Sequence, residues 1–147
     1  MAERFSWVVK NIIAGMERPG LFVPLESDLD FLREKGVGVI VNLEEYERKY
    51  PGFEYIHLPV RDFGTPELET YSRFVDFTRT HISEGRKVMV HCHAGMGRTN
   101  LMIASYLVKY SGLRPDLALE QVKDKRPVFL VTPEQEESLW EFYYTLL

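Results

Sequence analysis

The stretch Val88-Met89-Val90-His91-Cys92-His93-Ala94-Gly95-Met96-Gly97-Arg98-Thr99 decides how this chain is read. It opens in a short strand, Lys87 to His91, whose centre Val88-Met89-Val90 is apolar and partly β-branched. Gly95 and Gly97 then allow positive φ and a close approach of backbone to ligand. From Gly97 to Tyr110 the apolar residues return at helical spacing. A strand, a glycine-bearing loop and a helix in that order let several N–H groups turn inward above the positive end of a helix dipole, which makes an anion site. Arg98 adds a two-pronged donor that matches phosphoryl oxygens. The same groups favour thiolate over thiol at Cys92, a nucleophile at the base of a phosphate cradle. That placement implies phosphoryl transfer through a cysteinyl-phosphate intermediate. The alternative is a small apolar filler after a buried strand. Average residue usage puts a joint chance match of His91, Cys92, Gly95, Arg98 and Thr99 on the order of 10⁻⁷ per position.

Working outward, Phe5 to Val9 and Asn11 to Ala14 read as strands that end at the Gly15 and Pro19-Gly20 turn signals. Glu26 to Lys35 reads as a helix, with Gly36 as its left-handed C-terminal cap. Val37 to Leu43 has the continuous apolar pattern of a strand covered on both faces, and Phe53 to Pro59 is a second candidate. Thr65-Pro66-Glu67 offers an N-cap hydroxyl, a proline at the first helical position and an acid in the first turn, opening a helix that ends near Gly85. Further helices fit Pro115 to Lys125 and Pro133 to Leu147. The class is α/β: one domain over residues 1–147, a central mixed, mostly parallel sheet flanked by helices, with the helical C-terminal half covering one face. Ligands of such sheets bind beyond the carboxyl ends of the strands, where the residues after Val90 fall.

The chain has 147 residues, long enough to bury a core without disulfides, and its single cysteine excludes an intrachain one. A lone thiol suits a reducing compartment, so the expected location is cytoplasmic. The net charge of −4 gives no global field for a polyanion, so stable nucleic-acid binding is not expected. No apolar run approaches the ~20 residues of a membrane span, and Met1 to Lys10 lacks the apolar core of an export signal.

With these residues in view, the sequence resembles the cysteine-dependent protein tyrosine phosphatase superfamily, whose motif is His-Cys, five residues, Arg, then Ser or Thr. It is most similar to small atypical dual-specificity phosphatases of the VH1-like group. The likeness runs through Phe5-Ser6-Trp7-Val8, Pro59-Val60-Arg61-Asp62-Phe63, the cysteine loop, Ala104-Ser105-Tyr106-Leu107-Val108, Arg126-Pro127 and Thr132-Pro133-Glu134-Gln135. Low-molecular-weight phosphatases match less well, because they carry the cysteine loop near the N-terminus.

The resemblance implies a phosphomonoester hydrolase acting on phosphotyrosine, and on phosphoserine and phosphothreonine, in phosphoprotein or phosphopeptide substrates. Cys92 would be the nucleophile, with Arg98 and the amides of His93, Ala94, Gly95, Met96 and Gly97 as the phosphate clamp. A departing alkoxide or phenolate needs a proton donor, and Asp62 is the candidate, on a mobile loop with Gly64 as hinge. An exposed turn Asp is its bland alternative. Gln135 would hold the attacking water, though Thr132 and Gln135 also form a capping box. The Thr99 hydroxyl would donate to the sulfur, or simply sit in the first turn of the helix. His91 would orient the loop through its ring N–H. His57 and His81 read as core and surface residues, and Arg61 and Arg126 as ordinary exposed arginines that add positive potential.

The chain departs from the family pattern at two positions: Asn100 and Val128 stand where Gly is usual after Arg-Thr and Arg-Pro. No cofactor and no metal is expected, because adjacent His91, Cys92 and His93 cannot converge on one tetrahedral ion. A monomer is expected. Rival readings are a phosphoinositide or RNA 5′-phosphate hydrolase and a catalytically silent phosphoprotein-binding module.

Overall fold

The computed structural model describes residues 4–147, so the first three residues of the Met1 to Lys10 segment lie outside it. The order of elements is β1 (Ser6–Val9), β2 (Ile13–Met16), α1 (Leu25–Glu34), β3 (Val37–Asn42), β4 (Glu54–His57), α2 (Leu68–Ser83), β5 (Lys87–His91), α3 (Arg98–Tyr110), α4 (Pro115–Lys125) and α5 (Pro133–Thr145). The strands form one five-stranded sheet in the order β1-β2-β5-β3-β4. β1 and β2 are antiparallel, and every other pair is parallel. The fold is therefore the expected α/β one with a mixed, mostly parallel sheet.

Alternation along the central strands sorts side chains between two cores. Val88 and Val90 of β5, with Val39 and Val41 of β3, join the cluster formed with α2 to α5. Met89 and Ile40 point the other way, to Leu29 and Leu32 of α1 and to Tyr50 and Phe53. Both faces are covered, which explains the unbroken apolar runs. β5 sits between β2 and β3, so the loop after His91 leaves the middle of the sheet at its carboxyl edge.

Several local expectations are corrected. The second strand runs Ile13–Met16 rather than Asn11 to Ala14, because Asn11 adopts φ 61° in the turn and Gly15 stays inside the strand. Gly15 faces Thr99 and Arg126, where a Cβ would lie 2.7 Å from Thr99 Cγ2. Close packing, not turn geometry, requires this glycine. β4 is shorter than Phe53 to Pro59 and is a half-exposed edge strand, not one covered on both faces. α2 opens at Leu68 with Glu67 as N-cap, not at Pro66, which is buried in the approach to the helix. The histidine expectations reverse: His81 is buried against Phe77, whereas His57 is half-buried and its Nε2–H donates to the Glu44 carbonyl at 2.6 Å.

Arg126 is 1% exposed, not a surface arginine. Gly36 has φ 80°, as the cap expectation required. Among the described residues, no helix is long and apolar enough to cross a membrane.

Candidate active site

Cys92 is the first residue after β5 and is 3% exposed. Its sulfur accepts a hydrogen bond from Thr99 Oγ1 at 3.1 Å, across the first turn of α3. His91 is wholly buried at the end of the strand. Its Nδ1 lies 3.1 Å from the Cys92 carbonyl, which only accepts, so Nδ1 carries the proton. Its Nε2, 2.8 Å from the Tyr50 hydroxyl, is then free to accept from it. Burial drives the His91 pKa down to about 3, so the ring is neutral and fixes the loop's base by hydrogen bonding. The same burial raises the Tyr50 pKa.

Above the sulfur lies a cavity of about 80 Å³ lined by Asp62, Phe63, Cys92, His93, Ala94, Met96, Gly97, Arg98, Leu130 and Gln135. Eight of the ten belong to the set of site residues read from the sequence, and segments far apart in the chain meet here. Thr99 and Gly95 do not line it. Thr99 stands behind the sulfur, and Gly95, with φ 74°, packs on β2, where a Cβ would lie 2.7 Å from the Met16 carbonyl. Only glycine fits both that backbone conformation and that gap.

Arg98 is 3% exposed, and its guanidinium is held by three oxygens. Nη1 donates to the Val60 carbonyl at 2.8 Å and to Glu45 Oε1 at 2.9 Å, and Nη2 lies 3.4 Å from Asp62 Oδ1. Asp62 is exposed and precedes Phe63, which takes φ 59°, while the Gly64 N–H donates to the Arg61 carbonyl at 2.7 Å. Phe63, not Gly64, is the left-handed residue of this turn, an uncommon conformation for an aromatic side chain.

Gln135 serves two ends at once. With Thr132 it forms the capping box of α5, Oε1 accepting from the Thr132 N–H at 3.0 Å. Its Nε2 meanwhile donates to the Gly64 carbonyl at 3.0 Å, tying α5 to the Asp62 segment.

Sequence reasoning missed Glu45 and Glu44. The Asp62 N–H, the Glu45 backbone and the Arg98 guanidinium hold the Glu45 carboxyl below its ordinary range. Glu44, 5% exposed, pairs with Arg18 and Arg48, each at 3.3 Å. No sequence spacing links these acids to the cysteine loop. They reach it because β3 and β5 are parallel neighbours and release their chains at the same edge.

The chain matches over residues 14–112 the family model described as "Polymorphic toxin system, DSP-PTPase phosphatase", and it belongs to that phosphatase family. It is a small atypical dual-specificity phosphatase, as the sequence resemblance implied. It is 32% identical over 131 residues to the Phosphatidylglycerophosphate phosphatase PTPMT1 of Arabidopsis thaliana, covering 83% of this chain and 39% of that protein. It is 31% identical over 117 residues to the Tyrosine-protein phosphatase CDC14 of Saccharomyces cerevisiae, covering 76% of this chain and 21% of that one. The chain thus spans well under half of either relative. Among solved structures, Tk-PTP in its active form superposes with TM-score 0.83 at 28% identity, covering 98% of this chain and 99% of the other.

Proposed function

We propose that this phosphatase hydrolyses phosphotyrosine, and also phosphoserine and phosphothreonine, in phosphoproteins through a cysteinyl-phosphate intermediate. The observation that carries the reading is the convergence on one cavity of Cys92 and Arg98 from the cysteine loop, Asp62 from the segment after β4 and Gln135 from α5, three separate segments.

In the first half-reaction a lone pair of the Cys92 thiolate forms the S–P bond while the P–O bond to the leaving group breaks. Asp62 gives its carboxyl proton to that oxygen. The amides of His93 to Gly97 and the Arg98 guanidinium bind the equatorial oxygens, whose charge grows in the transition state. In the second half-reaction water, held by Gln135, attacks phosphorus, the Asp62 carboxylate accepts its proton, and the P–S bond breaks. The sulfur leaves as thiolate, stabilised by the Thr99 hydroxyl that donates to it.

Arg98 is an effective clamp because the Val60 carbonyl and Glu45 fix its plane in advance. The exposed Phe63 and Leu130 give the cavity an apolar rim suited to a phenyl ring. The same rim suits lipid, and the likeness to the Phosphatidylglycerophosphate phosphatase PTPMT1 of Arabidopsis thaliana makes a phosphatidylglycerol phosphate ester the second reading.

The test is initial-rate hydrolysis, with EDTA present, of a phosphotyrosine peptide, a phosphothreonine peptide, an aryl phosphate and phosphatidylglycerophosphate vesicles. The proposal expects turnover of the peptides and the aryl phosphate and its loss in Cys92→Ser. A lipid kcat/KM above that of every peptide would assign the site to the second reading.

A further inference from the structure

Four successive carbonyls of the cysteine loop are each held from outside. The His93 carbonyl accepts from the Arg18 N–H at 3.0 Å, and that of Ala94 from Arg4 Nη1 at 2.9 Å. The Gly95 carbonyl accepts from Arg126 Nη2. The Met96 carbonyl accepts from Asn100 Nδ2 and from the Leu130 N–H, both at 2.8 Å. In a planar trans peptide the carbonyl of one residue points opposite to the N–H of the next. Pinning these four oxygens outward therefore turns the N–H groups of Ala94, Gly95, Met96 and Gly97 to the other side of the loop, where the cavity lies.

Asn100 and Arg126 are the side-chain core of this brace. Asn100 is wholly buried and every polar hydrogen and its oxygen are used. Nδ2 donates to Met96 and, at 3.0 Å, to the Val128 carbonyl, while Oδ1 accepts from Arg126 Nε at 2.7 Å. Arg126 Nη1 donates to the Gly15 and Arg4 carbonyls, so one guanidinium joins the end of β2, the N-terminal segment and the loop. The two departures from the family pattern, Asn100 and Val128, touch one another. A glycine at position 100 reaches neither Met96 nor Arg126 with a side chain.

We propose that Asn100, with Arg126, is a positioning residue for catalysis: it holds the Gly95 and Met96 carbonyls outward so that the Met96 and Gly97 N–H groups are aimed at the phosphoryl group. This rests on the phosphatase reading of the same cavity. It adds that part of the clamp is set by a side chain outside the His-Cys…Arg-Thr motif. Burial moves the Arg126 pKa down to about 10, so the guanidinium stays charged at neutral pH and Cys92 lies within its field.

The experiment measures kcat, KM and orthovanadate inhibition for an aryl phosphate in wild type, Asn100→Ala and Asn100→Asp, with thermal unfolding alongside. Asn100→Asp keeps the acceptor for Arg126 but turns an oxygen toward the Met96 carbonyl. Both variants are expected to raise the vanadate inhibition constant and lower kcat/KM by roughly tenfold, the effect of misaligning one or two hydrogen bonds. Lower unfolding temperatures with unchanged kcat/KM and vanadate inhibition, measured where the variants are folded, would overturn the proposal and leave Asn100 a structural brace. If neither folds, Arg126→Lys carries the test. It keeps the charge but loses the fork that spans Gly95 and Asn100, and is expected to weaken vanadate at least threefold. An unchanged constant there overturns the proposal too. A wild type that neither binds vanadate nor hydrolyses the ester overturns the phosphatase reading itself, a result distinct from a variant that merely equals wild type.

Discussion

Glu45 and Arg98, 53 positions apart, meet through Oε1 and Nη1 at 2.9 Å. The other oxygen of the same carboxylate accepts the Asp62 N–H at 3.3 Å. One acid thus joins the arginine of the cysteine loop to the segment carrying the proposed general acid. Glu45 is 44% exposed at its side chain, so its value lies in orientation more than in stability. Glu45→Ala is expected to lower kcat/KM roughly tenfold with little change in unfolding temperature, and Glu45→Gln, which keeps one acceptor, less. Steady-state kinetics checks this, and wild-type kinetics in both variants would contradict it.

Asp62 stands at the cavity rim, 3.4 Å from Arg98. If Asp62 is the proposed proton donor, its removal hurts most where the leaving oxygen is most basic. Asp62→Ala is expected to slow alkyl and phenyl phosphates by roughly 10²–10⁴ and esters of acidic phenols far less. Equal slowing across a leaving-group series would remove Asp62 from that role.

Gly15 lies within the strand beside β5, and a Cβ there would sit 2.7 Å from Thr99 Cγ2 and 2.9 Å from Arg126 Cζ. Gly15→Ala is therefore expected to destabilise by about 1–3 kcal/mol through overpacking. It is also expected to lower turnover, because it pushes on the threonine that donates to the sulfur. Urea unfolding and kcat measured together check both effects; full turnover in a destabilised variant would uncouple them.

His91 has its pKa lowered to about 3 by burial, against an ordinary value near 6.5. The unfolded chain takes up this proton first as pH falls. The contribution of neutral His91 is therefore complete above about pH 6.5 and is lost as pH drops toward 3, at roughly 1.4 kcal/mol per unit. Urea midpoints at pH 7, 5 and 4 are expected to fall for wild type and to fall less steeply for His91→Gln. Parallel slopes would show that other groups govern the acid transition.

The cysteine loop was legible because its chemistry is dense in sequence: strand, thiol, glycines, arginine and threonine lie within thirteen residues, Lys87 to Thr99. The helices and central strands were legible from apolar spacing. What escaped was whatever depends on distant segments meeting. Glu45 bears no spacing to Arg98, and their contact follows from the parallel pairing of β3 and β5. Arginine rarely enters a core, yet Arg126 does so here because backbone carbonyls and one asparagine satisfy it. Gly15 carried a turn signal, although the space beside it, not its φ, demands glycine. The Thr65-Pro66 signature failed at α2 because Pro66 is buried before the helix begins.

The nucleophilic role of Cys92 is tested most directly by rapid acid quench of the enzyme during turnover of a phosphorus-32-labelled phosphotyrosine peptide, followed by mass spectrometry of the cysteine-loop peptide. One labelled phosphoryl group per chain is expected on Cys92 Sγ, accumulating further in Gln135→Ala and absent from Cys92→Ser. Undiminished hydrolysis by Cys92→Ser, or label recovered on another side chain, would contradict it.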